Sequence, residues 1–211
     1  MFRLPRSGMA AVAAIALGGA GAALAGSGER GDAKRAAVLA ARVPVAEAIS
    51  LAERQAGGRA AKVDLERDKA GYVYEVEVLT NDGAANVFVD PTTGSVLRTD
   101  RQGEHGKTSN SEDGTSLADL TASRTTLAQA VAAAERKTQG KAIAASFGDE
   151  DDGDGRGPLL TVDVADQNAV RRVVVDRATG NVVKVAADNP EQEDADGEHG
   201  GEHEHEGDDE D

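Results

Sequence analysis

Between residues 45 and 56 apolar side chains recur every three or four positions, at Val45, Ala48, Ile49, Ala52 and Ala56. The same spacing returns at Leu127, Ala130, Val131, Ala134 and Thr138. A period of 3.6 places each set on one stripe of a helix. Thr126 followed three positions later by Gln129 reads as a capping box, and Pro44 suits the first turn of the other helix. Gly57-Gly58 and Gly140 mark the C-terminal ends. Beyond each helix the period changes to two. Val63 and Leu65 alternate with charges across about 62–67, and Tyr74, Val76 and Val78 alternate with Glu75 and Glu77, which are expected to face water. Leu160, Val162 and Val164 repeat this second strand, with Thr161 and Asp163 outward. Asn81-Asp82-Gly83 is a hairpin signal. A third strand reaches Val89, and a last short one leaves through Val96 and Leu97.

The two patterned segments are alike in sequence. Residues 45–54 align with 127–136 at an offset of 82, and residues 87–96 align with 173–182 at an offset of 86. Four extra residues in the second segment account for the difference, and the acidic run from Asp149 to Asp154 is where they fit. The expected fold class is therefore α+β, two tandem small modules, each a helix packed on a three- to four-stranded antiparallel sheet. One such unit alone would be marginal, because small domains bury proportionally less surface. Tyr72, Tyr74, Phe88 and Phe147 all fall in predicted strands and read as core filler for an alanine-rich module, so the two copies are expected to lean on each other.

In each copy the third strand ends in a turn, Asp90-Pro91-Thr92-Thr93-Gly94 and Asp176-Arg177-Ala178-Thr179-Gly180. Pro91 presets φ, Gly94 and Gly180 accept a left-handed backbone, and an aspartate at the first position caps its own turn. Asp90, Gly94, Asp176 and Gly180 are thus structural turn residues.

The flanks lack such patterns. Arg3 and Arg6 precede an apolar stretch of about 16 residues from Met9 to Leu24, closed by Ala23-Leu24-Ala25. That is a signal peptide, short and glycine-softened for a span of ~20 residues. No cysteine follows it that could carry a lipid, so a released, soluble chain is expected, secreted or periplasmic, without stable membrane insertion. Residues 188–211 hold 13 Asp or Glu, three His, and no Lys or Arg. Without large apolar side chains such a tail stays disordered. The division is a signal peptide at 1–25, a linker at 26–41 with helix as the alternative near its end, a first module at 42–99, a polar linker at 100–121, a diverged second module at 122–187, and the tail.

Charge narrows the partners. The formal net charge is −15, and removal of residues 1–25 takes it to −17. Nucleic acid and anionic lipid are repelled by such a chain, which favours cations or a basic protein surface. The absence of cysteine leaves the packed core, without disulfides, to hold the fold. High Ala, Arg and Gly usage hints at a GC-rich bacterial genome.

The helix with its Ala-Glu pair, the glycine-ended turn, Tyr72-Val73-Tyr74-Glu75-Val76 and Val89-Asp90-Pro91-Thr92-Thr93-Gly94-Ser95-Val96 together resemble a PepSY domain. The second copy keeps Ala134-Glu135, Gly140 and residues 175–180 of that pattern, but has Leu159-Leu160-Thr161-Val162-Asp163 in place of the tyrosine strand. The resemblance implies a compact α+β domain of secreted and cell-envelope proteins, found also in propeptides of thermolysin-type metalloproteases, where a protease-inhibitory role is suggested. It brings no catalytic motif. The function expected from it is non-enzymatic protein binding, with a secreted metalloprotease as the candidate partner.

The alternative is cation binding. Glu150, Asp152, Asp154 and Gly155 imitate the start of a calcium loop, but position 12 is Thr161 where a bidentate glutamate belongs. A solvated hairpin insertion is the plainer reading. His199, His203 and His205 with neighbouring glutamates are ligand types for zinc, nickel or copper. Without a folded scaffold they promise modest affinity, and acidic low-complexity tails more often solubilise. No cofactor is required by the pattern. An enzyme is not expected: there is no cysteine, no phosphate loop and no His-Glu-x-x-His, and the four histidines, including His105, lie outside the patterned elements.

Overall fold

The computed structural model describes residues 28–101, 110–111, 114–148 and 159–187. The expected signal peptide, the acidic run with Glu150, Asp152 and Asp154, His105, and the tail with His199, His203 and His205 lie outside the described residues.

The apolar stripes form α2 (Val45–Ala56) and α4 (Leu127–Thr138), preceded by α1 (Gly28–Ala40) and α3 (Leu117–Ala122) respectively. After α2 come β1 (Arg59–Asp68), β2 (Gly71–Thr80), β3 (Gly83–Val89) and β4 (Val96–Arg101). After α4 come β5 (Lys141–Phe147), β6 (Leu159–Ala165), β7 (Val170–Asp176) and β8 (Val182–Ala187). All eight strands join one antiparallel sheet in the order β4-β3-β2-β1-β5-β6-β7-β8.

Where the sequence suggested two sheets leaning together, the backbone makes one. The seam is a three-residue ladder between β1 and β5, in which Lys62, Val63 and Asp64 oppose Ser146, Ala145 and Ala144. Val63 therefore pairs with the residue 82 positions on, the offset that also relates α2 to α4. A local two-fold axis passes through that pair. Away from the seam the registers repeat at an offset of 86: Tyr74 opposes Val89 as Leu160 opposes Val175. Register shifts recur too, at Ala60/Lys62 and Ala142/Ala144, and again at Phe88/Val89 and Val174/Val175.

The apolar stripes cover one face of the sheet. Val45, Ala48, Ile49 and Ala52 of α2 and Leu127, Ala130, Val131 and Ala134 of α4 are buried in one cluster with Val63, Leu65, Tyr74, Val76, Val162 and Val173. Alanine at the contact lets the helices approach the sheet closely, and close packing is what gives a thin core its cohesion. Each helix is also tied to the strand that follows it. Glu53 accepts from the Ala60 amide at 3.0 Å, and Glu135 accepts from the Ala142 amide at 2.9 Å.

The helix ends differ from expectation in one copy. Gly57 closes α2 with φ +77, but the left-handed residue after α4 is Gln139, with φ 61. Gly140 serves another purpose: a Cβ there would sit 2.6 Å from the Ala165 carbonyl oxygen, as one on Gly58 would sit 2.1 Å from that of Leu79. Thr126 and Gln129 form the capping box, whereas Pro44 stands at the cap position, just before the first turn.

Both expected linkers contain structure. Residues 26–41, expected as a linker with helix near its end, hold α1 along almost their whole length; it buries Val38, pairs Lys34 with Asp64 and packs against β5 and β1. Lys141 Nζ donates to the Leu39 and Ala41 carbonyls at its C-terminal end. The polar linker at 100–121 begins with the end of β4 and includes most of α3, capped by Ser116 and Asp119 and anchored by Leu120. Beside α3, Thr115 donates to the Phe147 carbonyl at 3.2 Å. α1 and α3 thus brace the short seam, each contacting a strand on the far side of it.

Candidate interaction surface

Alternation along the strands sends a second set of side chains to the sheet face opposite α2 and α4. Lys62 and Asp64 on β1, Ser146 on β5, Thr161 and Asp163 on β6 and Arg172 on β7 line an open groove of about 680 Å³ across the seam. Its charges are already engaged: Asp64 with Lys34, and Asp163 with Arg172 at 3.0 Å. Ser146 and Thr161 share a hydroxyl hydrogen bond at 3.1 Å. A smaller recess of about 140 Å³ adjoins it, walled by Glu66, Glu75, Glu77 and Asn86. There Asn86 donates to Glu75 at 2.9 Å. Burial, followed by a hydrogen bond and repulsion from Asp64, pushes the Glu66 carboxyl above its ordinary range, with Lys34 opposing.

Glu75 and Glu77 do not simply face water. Glu77 is only 5% exposed and Glu75 is half-buried, because the side chains of neighbouring strands close around them. Alternation alone assigns a face to a residue, not its depth. The aromatic residues also divide. Tyr74 and Phe147 are fully buried and Tyr72 half-buried, while Phe88 lies beneath Arg98, whose guanidinium carbon is 3.4 Å from the ring centroid.

The turn aspartates are consumed by backbone. Asp90 Oδ1 accepts from the Thr92 and Thr93 amides at 2.7 and 3.0 Å, and its carbonyl accepts from Gly94 at 2.9 Å. Asp176 repeats this with Ala178, Thr179 and Gly180. Gly94 and Gly180 have φ of +74 and +72, the region in which glycine carries no Cβ penalty. The turns also dock the helix entries: the Pro91 carbonyl accepts from the Arg42 and Val43 amides, and that of Arg177 from Thr125.

The two ends of the sheet contrast. On β4, Arg98 bonds Asp68 at 2.7 Å and Asp100 at 3.1 Å, and those bonds hold its guanidinium above its ordinary pKa. Asp68 is held below its ordinary value by the Lys69 amide and then by Arg98. Arg98 thus lies across the sheet face over Phe88, while Leu97 of the same strand is 52% exposed. β8 reads Val182-Val183-Lys184-Val185-Ala186-Ala187, with Val183 37% and Val185 42% exposed and Lys184 its sole charge.

Among the described residues, no group of three or more His, Asp or Glu is arranged to hold a metal ion. Also among them, no helix is long and apolar enough to cross a membrane. The candidate ligands Glu150, Asp152, Asp154, His199, His203 and His205 lie outside the described residues.

Comparison with curated proteins gives no match. Among solved structures, a "putative lipoprotein" from Clostridium difficile 630 aligns at 23% identity and a TM-score of 0.38, covering 70% of this chain and 94% of that one. Residues 42–100, from the entry to α2 through β4, match the PepSY family model, described as the peptidase propeptide and YPEB domain.

Proposed function

We propose that the chain is a tandem of two PepSY-like modules that works outside the cytoplasm as a non-catalytic binding protein, restraining a secreted protease. The observation that carries this reading is the match of residues 42–100 to a family described by its occurrence in peptidase propeptides. The repetition of registers and bulges in the second half supports the tandem. Residues 122–187 preserve the helix, the glutamate-to-strand bond and the aspartate turn, although the tyrosine strand is replaced. The exported setting rests on the N-terminal charge and apolar pattern.

The expected mode is strand addition. An open sheet edge offers backbone donors and acceptors that an extended segment of a protease or its substrate can satisfy. Such a binder needs no nucleophile, in keeping with a groove whose hydroxyls and charges are engaged with one another.

The test is inhibition of a thermolysin-type metalloprotease by the purified protein, with calcium in excess and zinc controlled so that chelation contributes nothing. Saturable inhibition that persists when residues 188–211 are removed is the expected result. A folded protein that leaves the protease fully active at high molar excess would sink the reading.

A further inference from the structure

We propose that the pocket where the end of α1, the entry to α2, the end of α4 and the start of β5 meet binds a free amino acid with a small apolar side chain. This goes beyond restraint of a protease and does not depend on it. The pocket has a volume of about 200 Å³ and lies on the helix side of the sheet, away from the open groove.

The local two-fold gives each module such a corner. Val38, Val45 and Glu135 correspond to Leu120, Leu127 and Glu53 at the offset of 82, and Tyr74 corresponds to Leu160 at 86. Around Glu53, leucine therefore stands where the pocket has two valines and a tyrosine, and all three leucines are fully buried. The smaller valines leave room beside Glu135, and Tyr74 brings a hydroxyl that the other corner lacks.

Three polar groups line this space, each held by the fold with capacity left over. Glu135 gives Oε1 to the Ala142 amide at 2.9 Å, so Oε2 can accept from a ligand. Lys141 donates to the Leu39 and Ala41 carbonyls at 2.9 and 2.7 Å, and an ammonium has a third hydrogen to give. Tyr74 donates to the Val43 carbonyl at 3.0 Å, which leaves its phenolic oxygen as an acceptor. Burial and then the Glu135 charge raise the Tyr74 pKa, so these two groups from different modules share one field.

The charges select a zwitterion. A lone anion here meets Glu135 and a lone cation meets Lys141, whereas a molecule with both charges turns each repulsion into an attraction. The helix ends act in the same sense. Pro44 gives α2 no side-chain cap, so its positive end favours a carboxylate, while the negative end of α4, which carries Glu135, favours an ammonium. The remaining walls include Val38, Val43, Val45 and Ala142 and suit an apolar side chain. Since a water occupies ~30 Å³, the volume is on the scale of alanine or valine. The ligand carboxylate accepts from Lys141, its ammonium donates to Glu135 Oε2 and the Tyr74 oxygen, and its side chain lies against the valines.

The probes are L-alanine and L-valine, titrated into the full chain by isothermal calorimetry, with isovalerate and isobutylamine as valine analogues lacking the amine or the carboxylate. Saturable binding of at least one amino acid is expected, and the analogues should bind about tenfold more weakly or worse. E135Q keeps an acceptor for the Ala142 amide and should raise Kd about tenfold. E53Q, at the other corner, should leave Kd unchanged. K141M should abolish binding. A41F leaves every polar group in place, fills the pocket and should also abolish it, which decides the matter should K141M unfold the chain.

No saturation by either amino acid up to roughly 50 mM, far beyond a millimolar affinity, overturns the proposal. So does an analogue that binds as tightly as valine, binding that E135Q and A41F leave intact, or an E53Q effect equal to that of E135Q.

Discussion

Tyr74 carries its ring into the core and donates its hydroxyl to the Val43 carbonyl at 3.0 Å, fastening β2 to the entry of α2. Burial, with a smaller contribution from the Glu135 charge, pushes its pKa up to about 12 from 10. The sign of the linkage follows. Between about pH 10 and 12 the unfolded chain has released this proton and the native chain retains it, so stability falls as pH rises through that window, by roughly 2–3 kcal/mol in all. Urea unfolding at pH 9 and pH 11.5 should show the loss. Tyr74→Phe should be less stable at pH 9 by about 1 kcal/mol, the typical worth of a hydrogen bond, and should have a flatter pH dependence. An equal slope in both proteins would mean that other groups govern alkaline unfolding. Glu77 makes the complementary point. Its alternation was legible, but its burial depends on side chains brought by other strands, which the local pattern does not encode.

Among the elements, those with strong periodicity were read from the sequence and those held by a few contacts were not. α2 and α4 each present four buried residues at helical spacing, and the strands alternate clearly enough to find. α1 instead is polar around most of its surface and has one fully buried anchor, Val38, with Lys34 and Lys141 tying it to the sheet. α3 is six residues long, and its cap uses Asp119 where the usual signature has glutamate or glutamine. Helix ends were read by residue type, which located Gly140 correctly but misassigned its role. Two substitutions one position apart should separate conformation from space. Gln139→Gly should stabilise the protein by about 0.5–1 kcal/mol, since glycine carries no left-handed penalty. Gly140→Ala should destabilise it by about 1–3 kcal/mol, because its methyl would meet the Ala165 backbone. Thermal melts of both variants check the opposite signs.

For the whole molecule, the likeness of residues 45–54 to 127–136 was visible in the sequence, whereas the continuous sheet was not. Nothing in the residue types of β1 or β5 announces that these two strands meet: Val63 faces Ala145 through a ladder of only three pairs. Edge pairing is made mostly of backbone hydrogen bonds, which every sequence supplies, so its choice of partner is weakly written in side chains. The interaction surface suffers the same limit. The turn aspartates stood out because turn chemistry selects residue type, but the groove lined by Lys62, Asp64, Ser146, Thr161, Asp163 and Arg172 emerged only once β1 and β5 were known to be neighbours.

The seam also has a consequence for a shorter chain. Because Val63 opposes its own counterpart, the contact is of the self-complementary kind that symmetric homodimers use. Linking the halves in one polypeptide replaces a bimolecular encounter by an effective concentration on the order of millimolar, so three ladder pairs and two packed helices can suffice. Residues 28–101 on their own should therefore associate in pairs through β1, Val63 against Val63, with a dissociation constant that sedimentation can measure. A fragment that stays monomeric would mean that α3 and α4 contribute something to the seam that a second copy of α1 and α2 cannot replace.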